Sequence, residues 1–188
     1  MLEASKNETH QHIRRVQELL MGMIQNLQQR LLVHDTSKLL PPESSGFAEC
    51  TSMLKGLTYG SDEYKAELAS MKDALSHHYQ MNRHHPEHFK GTVWREEGKP
   101  DEWVGAGMHG MTLVDLVEMF CDWCAATERH KDGNIGKSID HNMTRFGFGE
   151  TLACIMVNTA QLYCMGARNH LAYRPTRNTE LQEAIDHE

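Results

Sequence analysis

From Thr9 to Leu31 the apolar residues Val16, Leu19, Leu20, Met23, Ile24, Leu27 and Leu31 return at steps of three and four. That period gathers them on one side of a helix and does not suit a strand, whose faces alternate every second residue. The same spacing recurs in Tyr64, Leu68, Met71 and Leu75, in the stretch MTLVDLVEMFCDWCAATERH, and over 135–145 and 150–168. No pair of segments alternates as a strand pair would, so the chain is expected to be all-α. A short helix carrying VHDTSKLL is expected from about Leu31, stopped by Pro41 and Pro42, because proline cannot continue a helix. Another is expected from Phe47 to Leu57. Ser61 has the character of an N-cap, with Asp62 and Glu63 in the first turn of a helix reaching about Asn82. Thr112 with Asp115 has the spacing of a capping box that opens the helix ending near His130.

Residues 86–111 read as a long loop, with Gly91, Gly98, Gly105, Gly107 and Gly110 along it, and a loop of that length is expected to be a lid or binding loop, or else a disordered surface insertion. The length of 188 residues suits a single domain over 1–170, followed by a polar tail over 171–188. No apolar run approaches the roughly 20 residues of a membrane span, and the N-terminus lacks a secretory h-region, so a cytoplasmic location is expected. A net charge of −7 excludes strong general binding to nucleic acid, whose affinity comes from Lys and Arg neutralising phosphates. The five cysteines form an odd count and are expected to be reduced. Cys121 and Cys124 lie inside a helical pattern, away from a helix start where thiolates are activated, which favours packing over chemistry.

The stretch 77–88, HHYQMNRHHPEH, holds five histidines in twelve residues. Either this is a chance run of polar loop residues or the imidazoles serve a metal. Other positions favour the metal. His12 falls on the apolar stripe of the first helix, His34 and Asp35 open the second, and His78, with His77 beside it, continues the stripe of the helix ending near Asn82. Glu118 and Asp122 are four apart and share one helix face. Several helices thus carry a histidine or carboxylate where an apolar residue belongs. Burying such groups costs several kcal/mol in sum unless something pairs them, and a shared cation is a partner that imidazole and carboxylate both suit.

His12, then the doublet His34-Asp35, then Asp122, each on a separate predicted helix, resembles the HD-domain superfamily of metal-dependent phosphohydrolases. The added histidines resemble its His-rich branches, which hold two metals. HD-T-S-K at 34–38 also resembles the H-D-x-x-K of the HD-GYP branch and of some diiron HD oxygenases. The phrases HD-x-S-K-L and HH-x-x-x-N-x-HHPEH are similar to a small phage and bacterial group. The G-Y-P segment of HD-GYP proteins is absent, so cleavage of cyclic dinucleotides is not carried over.

The resemblance implies an HD-like helical bundle with the metals between helices. It puts His12, His34, Asp35 and Asp122 on one metal, with Asp35 bridging to a second. His78 and His85 serve that second metal, and His77 or His84 are the alternatives. Two ions about 3.5–4 Å apart activate a hydroxide and clamp a phosphoryl oxygen. The ions implied are divalent transition metals: Fe, Mn, Co, Ni or Zn. Lys38, one turn after His34, suits a phosphate oxygen, although a solvated helix lysine is the ordinary alternative. Glu118 is expected to orient a ligand histidine. Asn82, Arg83 and Arg145 are candidate substrate contacts, and Asn82 can also hydrogen-bond across the turn between the histidine pairs. His88 is expected outside the metal ligands. The function implied is hydrolysis of a nucleotide or other small phosphate ester. The alternatives are a diiron oxygenase cleaving a C–C or C–P bond, and a non-catalytic nucleotide-binding module. A homo-oligomer is compatible with the sequence.

Overall fold

The computed structural model describes residues 2–54, 62–63, 71–90, 107–129 and 133–164. Among them there is no strand, and the chain is all-α. Among the described residues six α-helices are bounded, in order: α1 (Leu2–Val33), α2 (Glu43–Leu54), α3 (Lys72–Met81), α4 (Leu113–Glu128), α5 (Ile135–Phe146) and α6 (Glu150–Tyr163). The described 3-10 turns are Thr36–Leu39, Pro86–Phe89 and Gly107–Gly110. Packing divides the chain into two units, Met1–Met119 and Phe120–Glu188. No described helix is long and apolar enough to cross a membrane.

α1 is one unbroken helix through Val33, so the short helix predicted from Leu31 does not form. The chain turns at Asp35, whose φ of 56° and ψ of 10° are left-handed. Aspartate tolerates this region better than most residues because its short side chain can bond locally. A 3-10 turn follows, and after Pro41 and Pro42 the helix α2 begins at Glu43 instead of Phe47. α2 packs against α3 and the first 3-10 turn. Gly46 makes that approach possible, since a Cβ there would lie 2.6 Å from Ala74 Cβ.

The predicted capping box is formed. Thr112 N donates to Asp115 Oδ2 at 2.9 Å and Asp115 N to Thr112 Oγ1 at 3.2 Å, which starts α4 at Leu113. Of the predicted 86–111 loop the two ends are described, and they pack on each other through their 3-10 turns. A Cβ on Gly110 would lie 2.6 Å from Phe89 Cβ. The rest of that loop, including Gly91, Arg95 and Trp94, and the tail over 171–188 lie outside the described residues.

In the second unit, Asn134 caps α5 by accepting from Lys137 N at 3.0 Å, and Gly147 closes it at φ 69°. α5 packs against α6 through buried Ile139, Met156 and Ala160.

Candidate metal centre

Two short segments carry the centre, both in the first unit. His34 closes the last turn of α1, with His34 N donating to Arg30 O at 2.8 Å, and the left-handed turn at Asp35 follows at once. His77 and His78 lie in the last turn of α3. Asn82 then stops that helix, and a tight turn brings back His84 and His85 ahead of Pro86. Asn82 holds this return. Its Nδ2 donates to the His78 carbonyl at 2.8 Å and to Ser37 Oγ at 2.8 Å, which joins the histidine turn to the turn after Asp35.

The imidazoles converge on Asp35. His78 Nε2 and His84 Nε2 each lie 3.4 Å from Asp35 Oδ1, and His34 Nε2 lies 3.7 Å from Oδ2. His85 Nε2 lies 2.8 Å from His78 Nε2. Asp35, His78, His84 and His85 each place one ligand atom within 4.8 Å of all the others, and His34, His84 and Glu118 do the same. The remaining Asp35 oxygen, Oδ2, accepts from Lys38 Nζ, which also sits over the Phe47 ring.

Behind the imidazoles stand two carboxylates. Glu43, fully buried, faces His77 Nδ1 at 2.7 Å and His78 Nδ1 at 2.8 Å, and accepts from Ser37 Oγ at 2.9 Å. Glu118 Oε1 faces His34 Nδ1 at 3.0 Å and His84 Nδ1 at 3.2 Å. With Nδ1 turned to a carboxylate, the Nε2 atoms of His34, His78 and His84 all point inward. This is the arrangement by which outer carboxylates fix the tautomer and ring direction of metal-binding histidines.

Three atoms at the centre have no hydrogen-bond partner: Asp35 Oδ1, His84 Nδ1 and His84 Nε2. His84 is 1% exposed, and the carboxylate oxygens near it lie out of line for a hydrogen bond. Each such atom costs about 1–3 kcal/mol when buried. A cation held by Asp35 Oδ1 and the inward imidazole nitrogens removes most of that cost, so the residues fit a metal ion.

The protonation states agree with this use. Burial, with His84 and His78 alongside, pushes His85 down to about 2, which keeps it neutral. Burial and then Lys38 lower His78, against its hydrogen bond to Glu43. Burial alone would raise Glu118, but the hydrogen bond with His34, the close approach of His84 and the Arg30 charge bring it to about 2. For Asp35 and Glu43 too, burial pulls upward and is outweighed, by Lys38 in one case and by His77, His78 and Ser37 in the other. Neutral imidazole and ionised carboxylate are the forms that bind a metal.

A second network supports both histidine segments from below. Asp115, fully buried, accepts from Arg30 Nη2 at 2.6 Å, from Arg83 Nε and Nη2 at 3.2 and 3.1 Å, and from Thr112. Arg30 lies one turn before His34 and also reaches Glu118 at 3.1 Å, while Arg83 directly precedes His84.

Among the residues predicted for the site, the structure brings together His34, Asp35, Lys38, His78, His84, His85 and Glu118. His12 is not among them. It is exposed on α1, and 21 residues of continuous helix separate it from Val33, about 32 Å at 1.5 Å per residue. His77 is turned to Glu43 and falls outside the ligand groups. Asn82 and Arg83 brace the site: one clamps Ser37 and His78, the other is fixed by Asp115 and by the Phe89 ring. Arg145 lies on α5 of the second unit, over the Phe146 ring. Asp122 follows Glu118 by one turn on α4 and belongs to the second unit. His88 turns away, its Nδ1 facing the Tyr79 carbonyl at 3.1 Å. Sequence reasoning missed Glu43, Ser37, Arg30 and Asp115 as parts of the site. Glu43 and Arg30 look like ordinary helix-end charges, and the Thr112–Asp115 spacing marks Asp115 only as a cap.

No curated protein and no solved structure matches the chain. A family model does match, over residues 1–162. The chain belongs to that family, a family of unknown function (DUF5662).

Proposed function

We propose that the chain is a metal-dependent phosphohydrolase acting on a nucleotide or other small phosphate ester. Asp35, His78, His84 and His85 would hold the metal, and His34 with Glu118 flank them. One observation carries the metal: the buried, unpartnered Asp35 Oδ1 and His84 ring nitrogens among inward-facing imidazoles. Three imidazole nitrogens and one carboxylate suit Zn, Fe, Co or Ni better than Mg or Ca. A bound divalent cation supplies Lewis acidity, polarising a phosphoryl oxygen and lowering the pKa of water.

The chain's own residues do the rest. Glu43 and Glu118 hold the imidazoles in the tautomer that leaves Nε2 free to bind. Lys38 supplies a positive charge at the edge of the centre, one-third exposed and steadied over Phe47, where an anionic ester would meet it. The hydrolytic reading rests on that lysine and on the His34-Asp35 doublet, the part of the HD resemblance that the centre retains. The imidazole-rich donor set also suits iron, which favours an oxygenase as the second reading.

The test is elemental analysis of protein purified without a chelating column, with a screen of nucleotides and phosphate esters under air and under nitrogen. Metal near one or two equivalents and phosphate release independent of oxygen support the hydrolase. Turnover only in air, with iron bound, supports the oxygenase. Nucleotide binding without turnover of any substrate rules out both and leaves a binding module.

A further inference from the structure

The first helix presents an apolar face that nothing described in the structure covers. Ile13, Val16, Leu20, Ile24 and Leu27 follow one another at steps of three and four. Ile13 is 46% exposed, Val16 40%, Leu20 54% and Ile24 48%. Leu19, Met21 and Met23 widen the face. Around them, residues 19–29, LLMGMIQNLQQ, contain no charged side chain on any side of the helix. A helix surrounded by water carries charge on its outer face, so an uncharged stretch of three turns marks a helix with neighbours. On one side of the helix Ile13, Val16, Leu20, Met23 and Ile24 together expose on the order of 400–450 Å², within the ~300–600 Å² of the largest patch on a typical monomer, a patch that is often functional.

We propose that this face binds the same face of a second copy of the chain, the two α1 helices running antiparallel and crossing near Leu20. In that register Leu20 meets its own counterpart, Val16 meets Ile24, and Ile13 meets Leu27. Ile13, Val16, Leu20, Ile24 and Leu27 then each have an apolar partner. A two-fold pairing of one patch with itself is the commonest route to a homodimer. The antiparallel sense follows from where the metal centre lies. Arg30 and His34 tie the C-terminal end of α1 to Asp115 and Glu118, while residues 3–21 are exposed throughout. Antiparallel pairing sets the two centres at opposite ends of the helix pair. Parallel pairing would crowd them together.

The experiment is sedimentation equilibrium of the full chain, wild type against the double variant Val16→Glu with Leu20→Glu, with circular dichroism and metal content recorded for both. The expected result is twice the chain mass for the wild type and a monomer for the variant, with helical content and metal unchanged. Arg15→Glu, on the opposite side of α1, should leave the dimer intact. A wild-type monomer at 100 µM overturns the proposal. If the variant monomer also loses helical content, the face is covered by the rest of the same chain. A dimer that survives the double variant overturns the choice of face. Orientation is read by oxidative cross-linking over the wild-type background: Leu20→Cys should cross-link and Ile13→Cys should not, and efficient cross-linking at position 13 refutes the antiparallel sense. None of these readouts depends on the proposed catalytic activity.

Discussion

Glu43→Gln tests whether the outer carboxylate sets the tautomer of His78. The change keeps size and shape but replaces one oxygen with an amide that can only donate. In the native site all three neighbours present donors to Glu43: His77 Nδ1, His78 Nδ1 and Ser37 Oγ. Glutamine can accept at one atom only, so at least one donor faces an NH2 group. Where the NH2 takes the Oε2 position, facing His78 and Ser37 rather than His77, His78 escapes by moving its proton to Nε2, the nitrogen that points to Asp35 Oδ1 at 3.4 Å, and that protonated nitrogen no longer binds a metal. Loss of such a partner typically lowers metal affinity about 10–100-fold, and at 1.4 kcal/mol per decade that is about 1.4–2.8 kcal/mol.

The metal-free protein should lose stability as well. Charge-assisted hydrogen bonds contribute about 1.5–3 kcal/mol each and a buried unsatisfied donor costs about 1–3. A loss of about 2–4 kcal/mol is expected, because the amide oxygen retains part of the set. The two effects are read separately, metal affinity by competition with a chromophoric chelator and stability by urea denaturation of the chelated protein. If the variant is destabilised yet binds metal as tightly and in the same ratio as the wild type, Glu43 is a packing group and the tautomer argument is wrong.

Asp35→Ala should remove bound metal while helical content persists, since one Asp35 carboxylate faces His34, His78 and His84; full metal stoichiometry in this variant would refute its central place. His12→Ala should leave metal affinity within about twofold, as expected for a side chain roughly 30 Å along a helix from the centre, and equilibrium dialysis checks this. Excess chelator should lower the melting temperature, because metal at 100 times its Kd stabilises the folded state by about 2.7 kcal/mol; an unchanged melt after verified metal loss would refute the coupling. Asp115 is pushed up by burial but held below the ordinary 3.8 by Arg83 and Thr112, so its contribution is complete above that value and is lost as pH falls through the depressed one. Asp115→Asn should therefore flatten that acid limb of the stability curve. At neutral pH it should cost about 2–3 kcal/mol, less than the ~3–5 of a fully buried broken pair, because Arg83 is 41% exposed.

The helical architecture was legible because period three-to-four is a local signal, repeated in nearly every segment. What covers each helix was not, and α1 illustrates the reason. Its stripe states which side is apolar, and the simplest completion is a buried helix with His12 among the buried residues. The structure leaves that side exposed from Ile13 to Ile24 and carries α1 unbroken to Val33, which removes His12 from the site by distance alone. The break then falls at Asp35, a residue without the glycine that usually signals a left-handed turn. Thr112 and Asp115 were readable for the opposite reason: a capping box is complete within four residues, and nothing distant decides it.

The centre was legible in outline for a related reason. Five histidines in twelve residues are hard to explain without a shared partner, so the segment declares itself. The choice within each pair does not. Neighbouring residues on a helix point about 100° apart, so His77 and His78 cannot both face inward, and only the position of Glu43 decides between them. Glu43 takes both Nδ1 atoms, and it leaves His78 alone with an inward Nε2 because α2 sits on that side of α3. In the loop the result is reversed. His84 and His85 both belong to the centre, since backbone outside a helix need not separate adjacent side chains by a fixed angle. Ligand identity at such a site therefore depends on the second carboxylate layer, Glu43 and Glu118. Glu118 can be read from the helix face it shares with Asp122, whereas Glu43 carries no spacing that marks it.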